Sequence, residues 1–227
     1  MKFVRRLLKQ LQYLRGADNL QRSFLAKKTD LTINEQQCIT KYVNKFPSPI
    51  YVEIGVYYGG TFATVLAFLQ KNKASWQAFG IDLFESVGEE SPDRTIQTHH
   101  IKNKWNGLNV AGREELDHKL TEKGFRNYTL IKGTSHHVVK ELPVIADVFF
   151  IDANHTYAQT KLDAEACLLK AKVGSYLIFH NASANLAPDA HYKSVDGGPW
   201  KVCEELKQSP RVEYIELIDR CAVFQVR

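Results

Sequence analysis

Short apolar runs alternate with segments of helical period along this chain, and that alternation restricts the fold more than any other feature. The runs Ile50–Ile54, Ala78–Ile81, Tyr128–Ile131, Val148–Ile151 and Tyr176–Phe179 are rich in β-branched and aromatic residues. Phe62, Val65, Leu66 and Leu69 recur at helical spacing after the first run. A helix from about Tyr157 to Lys172, with Leu162, Ala166 and Leu169 on one face, is expected after the fourth. The polar stretch 83–127 carries one expected helix, Arg113–Lys123, stopped by Gly124. Strands and helices alternating in this way predict βαβ units and an α/β, doubly wound, mostly parallel sheet. The chain ends differently. Val212–Leu217 and Cys221–Val226 are separated by three residues, which predicts an antiparallel hairpin on one edge and brings the sheet to seven strands.

Ahead of the sheet, Thr32 and Glu35 form a capping-box signature for a helix whose apolar face is Ile39, Tyr42, Val43 and Phe46, stopped by Pro47 and Pro49. Residues 1–15 place Phe3, Leu7, Leu11 and Leu14 at helical spacing between basic residues, an amphipathic helix. Residues 1–47 are therefore read as an N-terminal helical extension and 48–227 as the α/β domain. The chain carries 30 basic and 25 acidic residues, a net charge of +5, and Lys2, Arg5, Arg6, Lys9 and Arg15 all precede the first acid, Asp18. This leaves room for peripheral membrane contact through residues 1–15, or for a homodimer contact through the same face. No basic run interleaved with aromatics lies beyond that segment, so no nucleic-acid partner is expected. Cys38, Cys167, Cys203 and Cys221 are widely spaced with no C-x-x-C pair, which argues against zinc, redox motifs and a disulfide framework. No apolar run approaches the roughly 20 residues that cross a bilayer, and a cytoplasmic protein is expected.

In an open α/β sheet, ligands bind beyond the carboxyl ends of the strands. Glu53-Ile54-Gly55-Val56-Tyr57-Tyr58-Gly59-Gly60-Thr61 ends the first strand with glycines that let the backbone turn tightly and approach a ligand. The spacing is G-x-x-x-G-G, and Tyr57 stands where dinucleotide enzymes have their middle glycine. Asp82 ends the next strand, and a carboxylate there can accept both hydroxyls of a ribose. Together these favour an adenosine-containing cofactor. Asp152 and His155 follow the fourth strand, and His180 and Asn181 follow the fifth. A carboxylate, imidazoles and an amide converging at one sheet edge can steer a proton or hold a divalent cation, and Asp152 can equally cap the following helix.

The phrases VEIGVYYGGT, FGIDLFE, IKGTSHHVV, DVFFIDANHTYAQTKLDAEACL, GSYLIFHNA and GPWKVCEEL, in that order, resemble the class I S-adenosylmethionine-dependent methyltransferases. The likeness is greatest to the bacterial sugar and small-molecule O-methyltransferases, distant relatives of catechol O-methyltransferase. The resemblance implies a Rossmann-like fold and S-adenosyl-L-methionine as cofactor. It implies that Glu53, Gly55, Tyr57, Gly59, Gly60 and Thr61 receive the methionine end, Asp82 the ribose, and Ser135 and His136 the adenine, with Asp152 beside the cofactor. It further implies His155 as catalytic base with Asp152 as its partner, and Asp152, His180 and Asn181 as ligands for Mg2+. Relatives usually read His-Asp or Asp-Asn where this chain has His180-Asn181, so the ligand set holds one carboxylate where relatives often have two, and imidazole is a poor ligand for magnesium. The expected function is O-methylation of a hydroxyl on a small molecule or sugar. The alternative is a cofactor-binding scaffold of the same fold that does not catalyse. The segments 83–127 and 182–199 are expected to roof the acceptor, with His99, His100, Trp105, His191, Tyr192 and Trp200.

Overall fold

The computed structural model describes residues 29, 31–84, 112–183 and 197–227. The amphipathic segment 1–15 and the roofing residues His99, His100, Trp105, His191 and Tyr192 lie outside the described residues. The described elements are α1 (Ile33–Val43), β1 (Ile50–Ile54), α2 (Gly60–Asn72), β2 (Gln77–Asp82), α3 (Arg113–Glu122), β3 (Tyr128–Lys132), α4 (Ser135–Glu141), β4 (Ala146–Ile151), α5 (Tyr157–Leu169), β5 (Ala171–Phe179), α6 (Gly198–Leu206), β6 (Val212–Ile218) and β7 (Cys221–Val226).

The seven strands form one sheet in the order β3-β2-β1-β4-β5-β7-β6. β3, β2, β1, β4 and β5 pair in parallel, and β7 runs antiparallel to β5 and β6. The expected Rossmann-like sheet and its closing hairpin are both present. Strand order reverses between β1 and β4, and the crevice at that switch point is where such sheets take ligands.

Alternation along each strand divides the core in two. Tyr51, Val148, Phe150, Tyr176, Ile178 and Val223 face one side and join α1, α2 and α3 there. Val52, Ile54, Phe149, Ile151, Leu177 and Phe224 face the other and pack with α4, α5 and α6. Successive side chains of a strand point to opposite faces, so buried strands covered on both sides read as continuous apolar runs. α1, with Leu31 just before it, enters this core with Cys38, Ile39, Tyr42 and Val43. Its capping box is formed: the Thr32 side chain accepts the Glu35 N–H, and Glu35 accepts the Thr32 N–H.

Two expectations need correction. The helix after β4 stops at Leu169, and Ala171 already begins β5. Its inner stripe is Asp163, Ala164, Ala166, Cys167 and Leu168, while Leu162 and Leu169 are 44% and 62% exposed. Small side chains line the inside because α5 lies between α4 and α6 as well as on the sheet. Two helices lay below the reach of periodicity. α4 has seven residues, and α6 is entered through Gly197 in the left-handed region with Pro199 in its first turn.

Candidate active site

Two turns meet at the switch point. The Asp152 N–H donates to the Ile54 carbonyl at 2.8 Å. The β1–α2 turn then leaves the sheet through Gly55, whose φ is +88°, and a Cβ there would lie 2.2 Å from the Asp152 carbonyl oxygen. Gly59 is the N-cap of α2 with φ +77° and no side-chain cap, and a Cβ on it would strike Leu116 of α3. The two glycines are thus required by close packing of the turn, and Gly59, having no side chain, places no cap on the first backbone donors of α2.

Asp82, at the end of β2, holds the same turn from the other side. Its Oδ2 accepts the Tyr57 N–H at 2.8 Å and its Oδ1 the Phe84 N–H at 3.0 Å. Each carboxylate oxygen can accept a further bond, so anchoring the turn leaves Asp82 able to take hydroxyls. Glu53 is fully buried under the turn. Tyr51, two residues earlier on the same strand face, donates its hydroxyl to Glu53 Oε2 at 2.6 Å, and Oε1 has no hydrogen-bond partner. Burial pushes the Glu53 carboxyl well above the usual range, with Asp152 and Asp82 adding to the rise.

Beyond β3, Ser135 and His136 open α4 and are tied to α5. Ser135 donates to Asp163 Oδ1 at 2.5 Å, and Gln159 Nε2 reaches Asp163 Oδ1 at 3.0 Å and His136 Nδ1 at 2.9 Å. Burial pushes the Asp163 carboxyl up to about 6 against those two bonds.

The four polar residues beyond β4 and β5 do come together. Asp152 Oδ1 lies 2.9 Å from His180 Nδ1 and 3.2 Å from His155 Nε2, and Asn181 Nδ2 lies 3.2 Å from the same His155 nitrogen. Two further residues that the sequence did not place in the site complete a ring. Arg220, in the β6–β7 turn, donates through Nη1 to Asn181 Oδ1 at 3.2 Å, and through Nε and Nη2 to Glu35 at 2.9 and 3.0 Å. Glu35 Oε1 in turn faces His180 Nε2 at 3.6 Å. Burial opposes the charged form of His180, yet Asp152 and Glu35 outweigh it and hold the ring up to about 9. Glu35 is held down to about 2 by His180 and Arg220 against its own desolvation. Asp152 stays far below the usual carboxylate range because two imidazoles face it, again against burial. The charges therefore alternate around the ring, and two carboxylates are matched by two cations, which makes their burial tolerable.

A family of methyltransferase domains matches residues 52–182. This chain is a member of that family. No curated protein sequence matches it. Among solved structures this methyltransferase is similar to the O-methyltransferase NovP, at 18% identity and a TM-score of 0.64, covering 88% of this chain and 83% of that one. It is similar to the O-methyltransferase TomG of Streptomyces achromogenes, whose structure contains S-adenosylmethionine, at 13% identity and a TM-score of 0.67, covering 96% and 95% of the two chains. A methyltransferase of Podospora anserina bound to S-adenosylhomocysteine matches at 14% identity and a TM-score of 0.61, covering 97% and 94%.

The expected Mg2+ ligands of this methyltransferase do not fit the ion. Asp152 Oδ1 bridges two imidazoles, the Asn181 oxygen faces a guanidinium, and His180 offers nitrogen to a cation that prefers oxygen. Among the described residues no group of three or more His, Cys, Asp or Glu side chains is arranged to hold a metal. Trp200, expected over the acceptor, instead lines a small cavity with Ala182, Cys203 and Tyr214 between α6 and the hairpin. No helix among the described residues is long and apolar enough to cross a membrane. One missed partner had a signal in the sequence, since period two places Tyr51 and Glu53 on one strand face. Glu35 and Arg220 had none, because a capping residue and a turn residue are ordinarily solvent-facing.

Proposed function

We propose that this chain transfers a methyl group from S-adenosyl-L-methionine to a hydroxyl oxygen of a small molecule or sugar, with His155 as general base. The observation that carries this reading is the Asp152–His155 pair set directly against the Gly55 turn at the switch point. The chain's residues fit the cofactor's chemistry. The buried Glu53 presents an oxygen without a partner, suited to an ammonium group. The uncapped start of α2 suits a carboxylate. Asp82 suits ribose hydroxyls, and Ser135 and His136 stand two strands from the switch point, toward the adenine end.

Bound S-adenosylmethionine supplies a methyl group already activated on a sulfonium, which leaves the protein to align the acceptor oxygen and remove its proton. Asp152 turns the His155 Nε2–H toward itself, which puts the imidazole lone pair on Nδ1, and Asp152 then stabilises the imidazolium formed when that nitrogen takes the hydroxyl proton. The low-lying Asp152 carboxyl remains charged throughout, as an orienting partner must.

Calorimetric titration with S-adenosylhomocysteine tests cofactor binding. Asp82→Asn is expected to weaken it about tenfold, the loss of one charged hydrogen bond. His155→Gln is expected to bind the cofactor normally and lose turnover by about two orders of magnitude or more across a panel of sugar and phenol acceptors. Absence of binding would overturn the methyltransferase reading. Unchanged biological activity of His155→Gln would favour the scaffold.

A further inference from the structure

Glu35 and Arg220 lie outside the stretch that matches the family, one on α1 and the other in the β6–β7 turn. Both nevertheless reach the site and close its ring of polar contacts. The grip between them is two-pronged: Nε and Nη2 of Arg220 donate to the two Glu35 oxygens at 2.9 and 3.0 Å, and the Arg220 N–H adds a third bond at 3.2 Å. Glu35 itself is fully buried and immobilised by the Thr32 N–H at 2.6 Å, while the Thr32 hydroxyl donates to Asp219, Arg220's neighbour, at 2.6 Å. A planar guanidinium fixed on one edge by a carboxylate has its other edge aimed, and here Nη1 is aimed at Asn181 Oδ1.

That contact determines which way the Asn181 amide faces. With the oxygen turned to a donor that can never accept, the NH2 lies on the His155 side, 3.2 Å from Nε2; that nitrogen carries its proton toward Asp152, so Asn181 bounds the imidazole by contact and makes no hydrogen bond to it. It also places a permanent positive charge against the amide oxygen that a divalent cation would need. Asp152 Oδ1, the only carboxylate oxygen of the expected ligand set placed by these contacts, is bridged by His155 and His180.

We propose that Arg220 supplies the fixed positive charge of this site in place of a divalent cation, and that Arg220 and Glu35 are positioning residues that hold Asn181 against the His155 ring, so that methyl transfer by this chain requires no metal. The proposal rests on the methyltransferase reading above, and the experiment separates the two. Mn2+ is titrated into the full chain, with and without S-adenosylhomocysteine, and the free-ion electron paramagnetic resonance signal is followed. The signal is expected to stay undiminished up to about millimolar Mn2+, far above the range of a built carboxylate site. Stoichiometric loss of signal that Asp152→Asn abolishes would overturn the proposal. This arm needs no acceptor, and calorimetry with S-adenosylhomocysteine reports separately on whether the chain binds the cofactor at all.

The second arm uses Arg220→Ala and the charge-neutral pair Glu35→Gln with Arg220→Gln, which leaves no buried carboxylate alone if the single variant fails to fold. Both are expected to keep S-adenosylhomocysteine affinity within about threefold while kcat falls about tenfold or more, and KM for the acceptor stays nearly constant, because the loss is of alignment in the transition state. Millimolar guanidinium is expected to restore part of the turnover of Arg220→Ala, which a purely structural role would not allow. Arg220→Lys is expected to fail as a replacement, since an ammonium cannot bridge Glu35 and Asn181. Unchanged kcat in the paired variant would overturn the positioning role.

Discussion

A methyl group added at Gly55 would sit 2.2 Å from the Asp152 carbonyl oxygen and 2.7 Å from the Ala153 Cα, in a backbone conformation with φ +88°. Neither obstacle can rotate away, because both are backbone. Gly55→Ala is therefore expected to cost about 2–4 kcal/mol of stability, as read from denaturant unfolding, and to weaken cofactor binding as the two turns separate. A variant within about 0.5 kcal/mol of wild type would show that the turns can part freely. The sequence pointed to Gly55, Asp82, Asp152 and His155 because strand ends are legible and their polar residues stand out against apolar runs. It pointed equally to Tyr57, where φ is +52° and the N–H bonds to Asp82, so the backbone turns at that position. Asn181 also has positive φ, at +54°. Asparagine tolerates that conformation better than most residues, a reason for its presence that has nothing to do with metal binding.

At the scale of elements, α4 and α5 are joined by a polar contact rather than by apolar packing alone. Asp163 is buried between them with one oxygen bonded to Ser135 and Gln159 and the other without a partner. Its carboxyl stands at about 6 in the folded protein against 3.8 ordinarily. The native state thus holds this proton more tightly than the unfolded chain. The contribution of Asp163 is most favourable below pH 4, declines as pH rises to about 6, and is flat above that. Asp163→Asn keeps an acceptor for Ser135 and removes the buried charge. Its melting temperature is expected to rise relative to wild type between pH 4 and pH 6, by several degrees on the usual scaling of free energy to melting point, and the difference is expected to stay constant above pH 6. Parallel pH profiles for the two proteins would contradict this. The sequence did not expose α4 and misplaced the inner face of α5. Leucine is read as inward, but a helix flanked by two others turns small residues toward its neighbours and leaves Leu162 and Leu169 outside.

Across the whole molecule, the first described helix and the final hairpin belong to the site as much as the switch point does. α1, with Leu31 just before it, contributes Cys38, Ile39, Tyr42 and Val43 to the core on one sheet face and Glu35 to the polar ring. Side chains of this kind contribute roughly 1.5–3 kcal/mol each when buried, and together they rival the entire stability of an ordinary domain. A chain beginning at residue 48 is therefore expected to lose the cooperative thermal transition of the full chain. Circular dichroism checks this, and a cooperatively folded chain from residue 48 would contradict the role assigned to α1. The amino-acid sequence by itself determined the alternation of strands and helices, the parallel sheet with its hairpin, and the strand ends that carry Glu53, Asp82, Asp152 and His155. Those are local properties, set by side-chain period and by turn residues within a few positions of one another. Only the tertiary structure decided which polar groups share a charge. Glu35 and Arg220 are 185 residues apart and meet because α1 packs beside the β6–β7 turn. Their pairing arises from long-range packing, to which neither period nor spacing is sensitive, and it sets a guanidinium against Asn181 in the cluster with Asp152 and His180.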